Sequence, residues 1–383
     1  MQVYLDNAAT TPIHPKVLEA MLPYFKESFG NPSSIHSYGT KVRVAIEEAR
    51  ETIAETINCK ASEIYFLSGG TEANNFAIKG IINAAFRESG KNRLLTSEIE
   101  HHAVLDTIRY LAKDNLIIYP KLTNYGTVSL ADLRPLLTEQ FLFASFMHVN
   151  NEIGCVNDLQ GISSLLNDNN ILFHSDCVQS FCKYNIDVKK INIDSITGSS
   201  HKINGPKGTG FAYIKTGTPM ESFMLGGSQE RNRRGGTENV PGIIGFASAV
   251  KIFRQERNNY YNTAAQLKDY FINGLKQIDN KGIIINSEKN SSPYILNVSF
   301  NSNYYKNDIE AILVYLDING VAASGGAACS SGTLKPSHVL LGIGADVNNA
   351  KGTIRFSFGF QNTLNEIDYT LSVINKLLKQ IKK

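Results

Sequence analysis

The sequence is poor in cysteine, and its cysteines lack the spacing of common metal and redox sites. Only five cysteines occur among 383 residues, and none forms the paired CxxC pattern of structural zinc sites or dithiol redox motifs. An odd number of scattered thiols fits a reducing compartment better than an oxidising one. The sequence therefore excludes a small disulfide scaffold, and we expect no metal site.

A strong charge of one sign and long apolar runs are also missing. The formal net charge is +3, from 38 Lys+Arg and 35 Asp+Glu, which is too small for a basic nucleic-acid surface on a chain of this size. The most apolar run, Phe141–Val149, contains Ser145 and His148 and falls short of the roughly 18 uninterrupted apolar residues of a membrane span. The first residues lack the basic start and apolar core of a secretory signal. We therefore expect a cytoplasmic protein that binds neither membranes nor nucleic acid.

The chain does contain enough apolar sequence for a large core. Hydrophobic residues make up 42% of the sequence, which is enough for a large core. A length of 383 residues is typical of a chain with about two domains. Between about residues 60 and 215, short β-rich runs alternate with helical patterns, and this predicts an α/β fold with a mainly parallel sheet. The predicted strands are Ile64–Leu67, Leu94–Thr96, Ile117–Tyr119, Phe143–Val149, Ile171–His174, Ser195–Gly198 and Gly210–Ile214.

A second unit is predicted after a long helical pattern that links it to the first. Its last helix begins with a capping box formed by Thr363 and Glu366. The elements predicted in this part of the chain are the linking helix Ile252–Ile278, strands at Ile283–Ile285, Ile295–Phe300 and Thr353–Phe358, and a helix at Asp308–Ile318.

A glycine-rich turn, Ser68–Asn74, follows the first predicted strand and opens a helix. Free backbone N–H groups and the positive end of the helix dipole make such a turn an anion site, and the Thr71 hydroxyl adds a donor for a phosphate. The same pattern also occurs in ordinary turns before helices. Taken alone, the motif leaves both interpretations open.

An acid and a carboxamide, Asp176 and Gln179, come at the end of another apolar strand. A carboxylate in a dry cleft can hold a protonated heteroaromatic nitrogen. The alternative is a helix N-cap, for which Asp is a favoured residue. The position at the carboxyl end of a strand is where ligands bind in parallel α/β sheets.

A lysine, Lys202, follows the next apolar strand within the segment Thr197–Lys202. Burial at such a position lowers the pKa of the amine and frees it to form a Schiff base with an aldehyde. A solvated lysine is the alternative, and Lys207 in the nearby turn is a competitor. The three motifs together supply an anion cradle, an acid for a pyridinium and a lysine for an aldehyde, which is the combination that pyridoxal phosphate requires.

At this point the sequence also resembles a known family, the cysteine desulfurases of the NifS/IscS-like group in the class V aminotransferase superfamily. The resemblance covers nearly the whole chain, and its motifs come in the family's order. They are LDNAATTP from Leu5, GNPSSIH from Gly30, SGGTEANN from Ser68, EHHAVLDT from Glu100, MHVNNEIG from Met147, the Asp176 and Gln179 pair, SHKINGPKG from Ser200, RRGGTENV from Arg233, the Cys329 loop and IRFSFG from Ile354.

The resemblance implies a fold and a division into domains. The fold is the PLP-dependent transferase fold type I, with a mainly parallel seven-stranded sheet in a large domain and a smaller α/β domain at the C-terminal end. We expect residues 15–255 in the large domain, and residues 1–14 and 256–383 in the small one. The small domain then carries a loop at about residues 324–334 with Cys329.

The resemblance also implies the residues that bind the cofactor. By match to the family, Lys202 bonds to the cofactor aldehyde, Asp176 pairs with the pyridine nitrogen and Gln179 contacts the ring hydroxyl. His101 matches the histidine that stacks on the ring and relays a proton, while its neighbour His102 is expected at the surface. The residues matched to the phosphate are Gly70, Thr71, Ser199 and His201, together with Thr237, which the other subunit of a homodimer supplies.

The substrate and the sulfur acceptor within the chain follow from the same resemblance. Asn151 and Arg355 match the groups that hold the carboxylate of L-cysteine. Cys329 matches the thiol that takes the sulfur as a persulfide and leaves L-alanine. It lies in Ser324–Gly332, a run of Gly, Ala, Ser and this one Cys that predicts a loop. The thiols Cys59, Cys155 and Cys182 lie near apolar residues and are expected to be inert, whereas the part played by Cys177 beside Asp176 stays open.

Partners and alternatives complete the expectations. The persulfide is expected to pass to an acceptor protein, such as an iron–sulfur scaffold or a relay protein of tRNA thiolation. The alternatives are a selenocysteine lyase or an aminotransferase of the same superfamily, or a non-catalytic partner in a sulfur-transfer complex. An aminotransferase would keep its activity without Cys329, a lyase would prefer the selenium substrate, and a non-catalytic partner would need neither Lys202 nor His101.

Overall fold

A computed structural model of the chain describes residues 1–112, 116–287, 291–325 and 336–383. Cys329 therefore lies outside the described residues. The strands are β1 (Val3–Tyr4), β2 (Ile64–Leu67), β3 (Arg93–Thr96), β4 (Ile117–Ile118), β5 (Phe141–Ser145), β6 (Leu172–Asp176), β7 (Ser195–Ser199), β8 (Gly210–Ile214), β9 (Ile283–Ile285), β10 (Ile295–Phe300), β11 (Val321–Ala322), β12 (Ser324–Gly325) and β13 (Thr353–Ser357).

Helices cover the strands and connect them. They are α1 (Pro15–Met21), α2 (Pro23–Lys26), α3 (Ser37–Ile57), α4 (Gly70–Ser89), α5 (His102–Leu111), α6 (Leu130–Leu133), α7 (Leu159–Asn167), α8 (Val188–Ile191), α9 (Gln229–Asn232), α10 (Val240–Asp279), α11 (Ile309–Ile318), α12 (His338–Gly342), α13 (Val347–Ala350) and α14 (Leu364–Ile381). Within the described ranges, no helix is long and apolar enough to cross a membrane.

The larger sheet has seven strands in the order β2-β8-β7-β6-β5-β3-β4. The pairs from β7 through β4 are parallel, and β8 is antiparallel to both of its neighbours. Successive side chains along each strand point to opposite faces of the sheet. Leu67 thus packs with α4 and α5 on one face, while Phe66 packs with α3, α7 and the first part of α10 on the other. Both faces are covered, and this explains why the strands are apolar throughout.

A second core forms around a four-stranded antiparallel sheet in the order β12-β13-β10-β9. The apolar faces of α11 and α14 pack on this sheet, as does the second part of α10, through residues such as Phe271 and Leu275. The N-terminal residues also join this core, because β1 pairs in parallel with β11 and Leu5 is fully buried. Both ends of the chain therefore lie in one core.

The predicted fold class is confirmed, and the main differences concern element boundaries. The linking helix begins at Val240, twelve residues before the predicted Ile252. Asn239 caps its first turn by accepting a hydrogen bond from the Gly242 N–H, and Pro241 lies where the missing proline N–H costs no helical hydrogen bond. The predicted strand Phe143–Val149 also begins earlier, at Phe141, and ends at Ser145, so its last four residues belong to the loop after β5. The proposed domain limits at residues 15–255 stay a prediction.

Candidate active site

The carboxyl ends of β6 and β7 lie side by side, with Asp176 paired in register with Thr197. A single 3-10 turn, Ser200–Lys202, follows β7 and places Lys202 beside the N-terminal segment. The Lys202 Nζ donates hydrogen bonds to the carbonyl oxygens of Ala8 at 2.6 Å and Ala9 at 2.7 Å. The lysine is only half-buried, so it is both anchored and accessible.

The carboxylate of Asp176 is fixed from two sides. Its Oδ2 accepts a hydrogen bond from Asn74 Nδ2 at 2.7 Å, and its Oδ1 accepts one from the Val178 N–H at 2.9 Å. Asn74 is itself oriented by the Thr197 hydroxyl, which donates to its Oδ1 at 2.6 Å. The side chain is 6% exposed. Each carboxylate oxygen has a second lone pair, so Asp176 can accept one more donor from the site.

Gln179 follows Asp176 by three residues and reaches the same N-terminal segment. Its Nε2 donates to the Ala8 carbonyl at 2.9 Å. The same carbonyl accepts from Lys202 Nζ. Gln179 is 5% exposed, so the side chain is held among protein atoms.

His101 comes from the loop after β3 and is the N-cap of α5. Its Nδ1 accepts a hydrogen bond from the Ala103 N–H at 3.0 Å. Burial lowers the pKa of His101, and the negative charge of Asp176 only partly opposes this effect. The ring is therefore neutral near pH 7, and because Nδ1 is an acceptor, its proton is on Nε2.

Glu100, the residue before His101, is a fully buried acid. Its Oε1 accepts a hydrogen bond from the Met147 N–H at 2.6 Å, and its Oε2 has no partner among the described residues. Burial raises the pKa of Glu100 well above its usual value, and the charge of Asp176 raises it further.

The N-terminus of α4 lies at the glycine-rich turn for which the sequence predicts an anion site. Gly69, the N-cap residue, has no side chain to accept from the first N–H groups of the helix. The Ser199 hydroxyl is buried and has no partner among the described residues. A Cβ atom at Gly70 would lie 2.7 Å from Val178 Cγ2 and 3.8 Å from Ser199 Cβ. The close approach of these three residues therefore requires glycine at position 70.

The other residues predicted to bind the phosphate differ in their exposure. His201 Nδ1 lies 3.2 Å from the Thr10 hydroxyl, and burial together with the charge of Lys202 lowers its pKa to about 4. Thr71 is exposed at the first turn of α4, and Thr237 is exposed in the segment before α10. Thr71 also lines an open cavity of about 380 Å³ together with His101.

Arg355 approaches the site from β13, in the other sheet. Its Nη1 donates to the Asn151 carbonyl at 2.9 Å, and its Nη2 donates to Asp6 Oδ1 at 2.9 Å. Its buried Nε has no partner within the described ranges. The two predicted carboxylate-binding residues are thus in contact with each other, and the guanidinium keeps a donor for a further anion.

Cys59, Cys155 and Cys182 pack among apolar residues, as expected, and Cys177 is fully buried. The side chain of His102 is 54% exposed, as predicted. Burial raises the pKa of the Cys182 and Cys177 thiols to about 12, and it raises that of the half-buried Cys59 to about 12 as well. These three thiols are protonated at neutral pH and are poor nucleophiles. Cys59, Cys177 and Cys182 are therefore not suited to attack the sulfur of a substrate.

Sequence reasoning missed two side chains that position the site. Asn74 lies within the glycine-rich motif. The signal for it is a polar residue on the buried face of a helix, next to apolar residues such as Phe76 and Ala77. Asp6 lies in the LDNAATTP motif, but its partner Arg355 is 349 residues away. No local pattern could have predicted that pair.

Comparisons with known proteins agree with this geometry. The family model described as aminotransferase class-V matches residues 3–370. A cysteine desulfurase IscS of Dictyoglomus turgidum is 42% identical over 383 residues, which covers 100% of this chain and 95% of the relative.

Two solved structures are also similar. A NifS-like protein superimposes with a TM-score of 0.91 at 34% identity, and the match covers 100% of both chains. A structure described as SspA in complex with cysteine has a TM-score of 0.81 at 34% identity, and the match covers 94% of this chain and 99% of the other.

Proposed function

The chain belongs to the cysteine desulfurases of the class-V aminotransferase family, and we propose that it transfers the sulfur of L-cysteine to Cys329 with pyridoxal phosphate as its cofactor. The observation that carries this proposal is the convergence of His101, Asp176 and Lys202 at the carboxyl edge of one sheet. The proposed products are L-alanine and a persulfide on Cys329.

The residues of the site fit this cofactor. The N-terminus of α4 offers backbone N–H groups, and the buried Ser199 hydroxyl lacks a partner among the described residues, which suits a phosphate group. Asp176 keeps lone pairs for a ring N–H, and Gln179 lies beside it for the ring hydroxyl. The half-buried Lys202, whose Nζ is anchored by two carbonyl oxygens, is the residue proposed for the aldehyde. Thr71, His201 and a partner subunit's Thr237 complete the proposed phosphate site.

Lys202 is the proposed base. When bound, pyridoxal phosphate holds the amino group of L-cysteine and accepts the electron pair that is left at Cα. With the substrate amino group held in this way, the Lys202 Nζ would act as the base that removes the Cα proton. The carbonyls of Ala8 and Ala9 orient this amine, because both accept hydrogen bonds from Nζ.

Asp176 acts on the proposed cofactor and Arg355 on the substrate. Asp176 keeps the ring nitrogen protonated, because a carboxylate at hydrogen-bond distance favours the charged form of a heteroaromatic base. Arg355 binds the substrate carboxylate with the side-chain amide of Asn151 as a second donor. The hydrogen bond from the Arg355 guanidinium to the backbone carbonyl of Asn151 keeps the two residues next to each other.

His101 supplies a proton at Nε2. Its Nδ1 is occupied by the Ala103 N–H, so only Nε2 can exchange a proton with the substrate. The neutral ring can donate this proton and recover it, which suits a relay between the substrate thiol and the product carbon.

The sulfur transfer conserves atoms and electrons. The Cys329 thiolate attacks the substrate sulfur, an S–S bond forms and the C–S bond of the substrate breaks. Its electron pair stays with the substrate carbon, which takes up a proton and becomes the methyl group of L-alanine. The persulfide is then unloaded by an acceptor thiol. An acceptor protein for iron–sulfur assembly or for thio-modification, a homodimeric state and a cytoplasmic location stay predictions.

The test is a comparison of wild type and Cys329→Ala, both loaded with pyridoxal phosphate and given L-cysteine without oxygen. We expect wild type to form L-alanine and a persulfide on Cys329, and the variant to form neither over repeated turnovers. Amino-acid analysis and mass spectrometry of the alkylated protein measure the two products. Cys59→Ala is the matched control, because Cys59 is a half-buried thiol that packs against the core of the large sheet.

The outcomes separate the alternatives. Undiminished turnover in Cys329→Ala would contradict the persulfide route and favour transamination or direct elimination. A strong preference for L-selenocysteine would favour a lyase. The absence of any turnover in loaded wild type would favour a non-catalytic partner.

A further inference from the structure

Lys183 is a buried lysine that the proposed reaction does not use. It lies four residues beyond Gln179 and is 7% exposed. Its Nζ lies 3.5 Å from Gln179 Oε1 and 4.9 Å from the centre of the Tyr294 ring. An ammonium group can donate three hydrogen bonds and accept none. The contact therefore requires that the oxygen of the Gln179 carboxamide face Lys183.

The contact extends to the centre of the site through a short chain of hydrogen bonds. With Oε1 directed at Lys183, the Nε2 of Gln179 faces the Ala8 carbonyl and donates to it at 2.9 Å. The same carbonyl accepts from Lys202 Nζ at 2.6 Å. Lys183, Gln179, Ala8 and Lys202 are thus linked in one row.

The orientation of a carboxamide depends on such a partner. The terminal torsion of glutamine is broad and roughly two-fold, so an unrestrained group can exchange its oxygen and nitrogen. The exchange would point Oε1 at the Ala8 carbonyl, where two acceptors would oppose each other. It would also remove the N–H donor that a ring hydroxyl beside Lys202 requires.

We propose that Lys183 is a positioning residue that fixes the Gln179 carboxamide with Oε1 on Lys183 and Nε2 on the Ala8 carbonyl, so that the second N–H of Nε2 serves the cofactor. The inference rests on the proposed function, because Gln179 matters in this way only if the site holds pyridoxal phosphate. Lys183 itself does not touch the reacting atoms. It acts through the side chain of Gln179.

The surroundings of Lys183 suit this part. Burial lowers its pKa to about 7, and the charge of Lys202 contributes in the same direction. Both the ammonium and the neutral amine carry N–H donors, so the contact with Gln179 persists in either form. The face of the Tyr294 ring stabilises the ammonium form.

A double-mutant cycle tests the inference with cofactor affinity as the readout. The variants are Lys183→Met, which keeps the length of the side chain without its donors, Gln179→Ala and the double variant. The dissociation constant of pyridoxal phosphate is measured by absorbance for each protein. We expect Lys183→Met to raise this constant about tenfold in the presence of Gln179, the size of one lost oriented hydrogen bond. We expect no further rise in the Gln179→Ala background.

The controls separate positioning from a general loss of structure. Lys268→Met removes another buried lysine, whose Nζ donates to Ser291 Oγ at 2.6 Å and to the Ser292 carbonyl at 2.9 Å. We expect it to leave cofactor affinity unchanged. Lys183→Arg keeps N–H donors and is expected to bind the cofactor more tightly than Lys183→Met. Lys183→Leu replaces Lys183→Met in the cycle if the methionine variant does not fold.

Two results would overturn the inference. Unchanged cofactor affinity in Lys183→Met would show that Gln179 needs no such partner. An equal weakening with and without the Gln179 side chain would show that Lys183 acts by another route. A wild type that bound no pyridoxal phosphate would instead overturn the proposed function, and the inference with it.

Discussion

The two halves of the site are built in different ways. The half that holds Asp176 and Lys202 comes from adjacent strand ends of a single sheet. The half that holds Arg355 joins β13 of the other sheet, the N-terminal segment through Asp6, and the loop after β5 through Asn151. The first half is set by the geometry of parallel strands, and the second by contacts between segments that are distant in sequence.

This difference separates two tasks. A cofactor must stay bound through every turnover, and a rigid sheet edge covered on both faces suits that requirement. A substrate must enter and leave, and a site assembled from several segments can bind it without disturbing the cofactor half. Variants in the first half should therefore affect chemistry and cofactor binding, and variants in the second should affect mainly the binding of L-cysteine.

The largest effect is expected in the cofactor half, from Lys202→Ala. The variant loses both the amine that bonds to the cofactor and the base for the Cα proton. We expect kcat to fall by about a thousandfold or more, as for other residues that act as nucleophile or base. Steady-state formation of L-alanine measures this loss. Lys207→Ala, an exposed lysine in the next turn, is the matched control and should keep its activity; the reverse pattern would contradict the assignment of Lys202.

A smaller effect, confined to substrate binding, is expected for Arg355→Gln. The loss of a charged donor to the substrate carboxylate should raise KM for L-cysteine about a hundredfold. The dissociation constant of pyridoxal phosphate should stay the same, because Arg355 lies in the other half. Initial rates and an absorbance titration measure the two quantities. Arg87→Gln, an exposed arginine paired with Glu221, is the control, and a parallel loss of cofactor in Arg355→Gln would contradict the division into halves.

The next effect concerns stability rather than catalysis and comes from the buried ring of His174, which lies in the cofactor half. His174 lies on β6, is fully buried, and burial lowers its pKa to about 3. The unfolded chain binds a proton on this residue below about pH 6.5, whereas the folded chain does not, so folding loses free energy as the pH falls from 6.5 toward 3. Between pH 7 and pH 5 the loss from one such group is about 2 kcal/mol.

The variant His174→Gln isolates this contribution. Its free energy of unfolding, measured with urea at both pH values, should fall by about 2 kcal/mol less than that of wild type. An equal fall in the free energy of unfolding for the two proteins would contradict this prediction, because it would show that the His174 ring takes up a proton in the folded state.

The smallest effect is expected from Asp6→Asn, in the substrate half. Asparagine keeps an oxygen that can accept from Arg355 Nη2, but it removes a negative charge that lies 2.9 Å from the guanidinium. The substrate carboxylate then meets a less neutralised cation, and KM for L-cysteine should fall about fivefold. Initial rates measure it. A rise in KM would show instead that the charge of Asp6 is needed to orient Arg355.

The sequence predicted the cofactor half better than the substrate half. Asp176 and Lys202 each follow an apolar strand within a few residues, and strand ends are visible in hydrophobic patterns. Arg355 was found only through the family resemblance, because β13 is a buried strand in which an arginine has no local explanation. Its partner Asp6 stayed unnoticed, since a contact across 349 residues leaves no periodic signal.

The predicted element boundaries differ from the structure where packing overrides local preference. The start of α10 was predicted too late because Pro241, Gly242 and Gly245 look like helix breakers. In the structure, a Cβ at Gly245 would lie 2.6 Å from Met21 Sδ, so this glycine permits the close packing of α1 on α10. The proline occupies the first turn, where it is tolerated. The role of Gly245 cannot be recognised without the neighbouring helix.

The shared helix α10 has a mechanical consequence. Its 40 residues span about 60 Å without a proline beyond the first turn. Its first part is buried with Phe246 in the core of the large sheet, and its second part with Phe271 in the core of the small one. A cut in the middle of α10 would leave each core with half of a stabilising element. The two cores should therefore unfold in a single thermal transition, because both depend on the same helix.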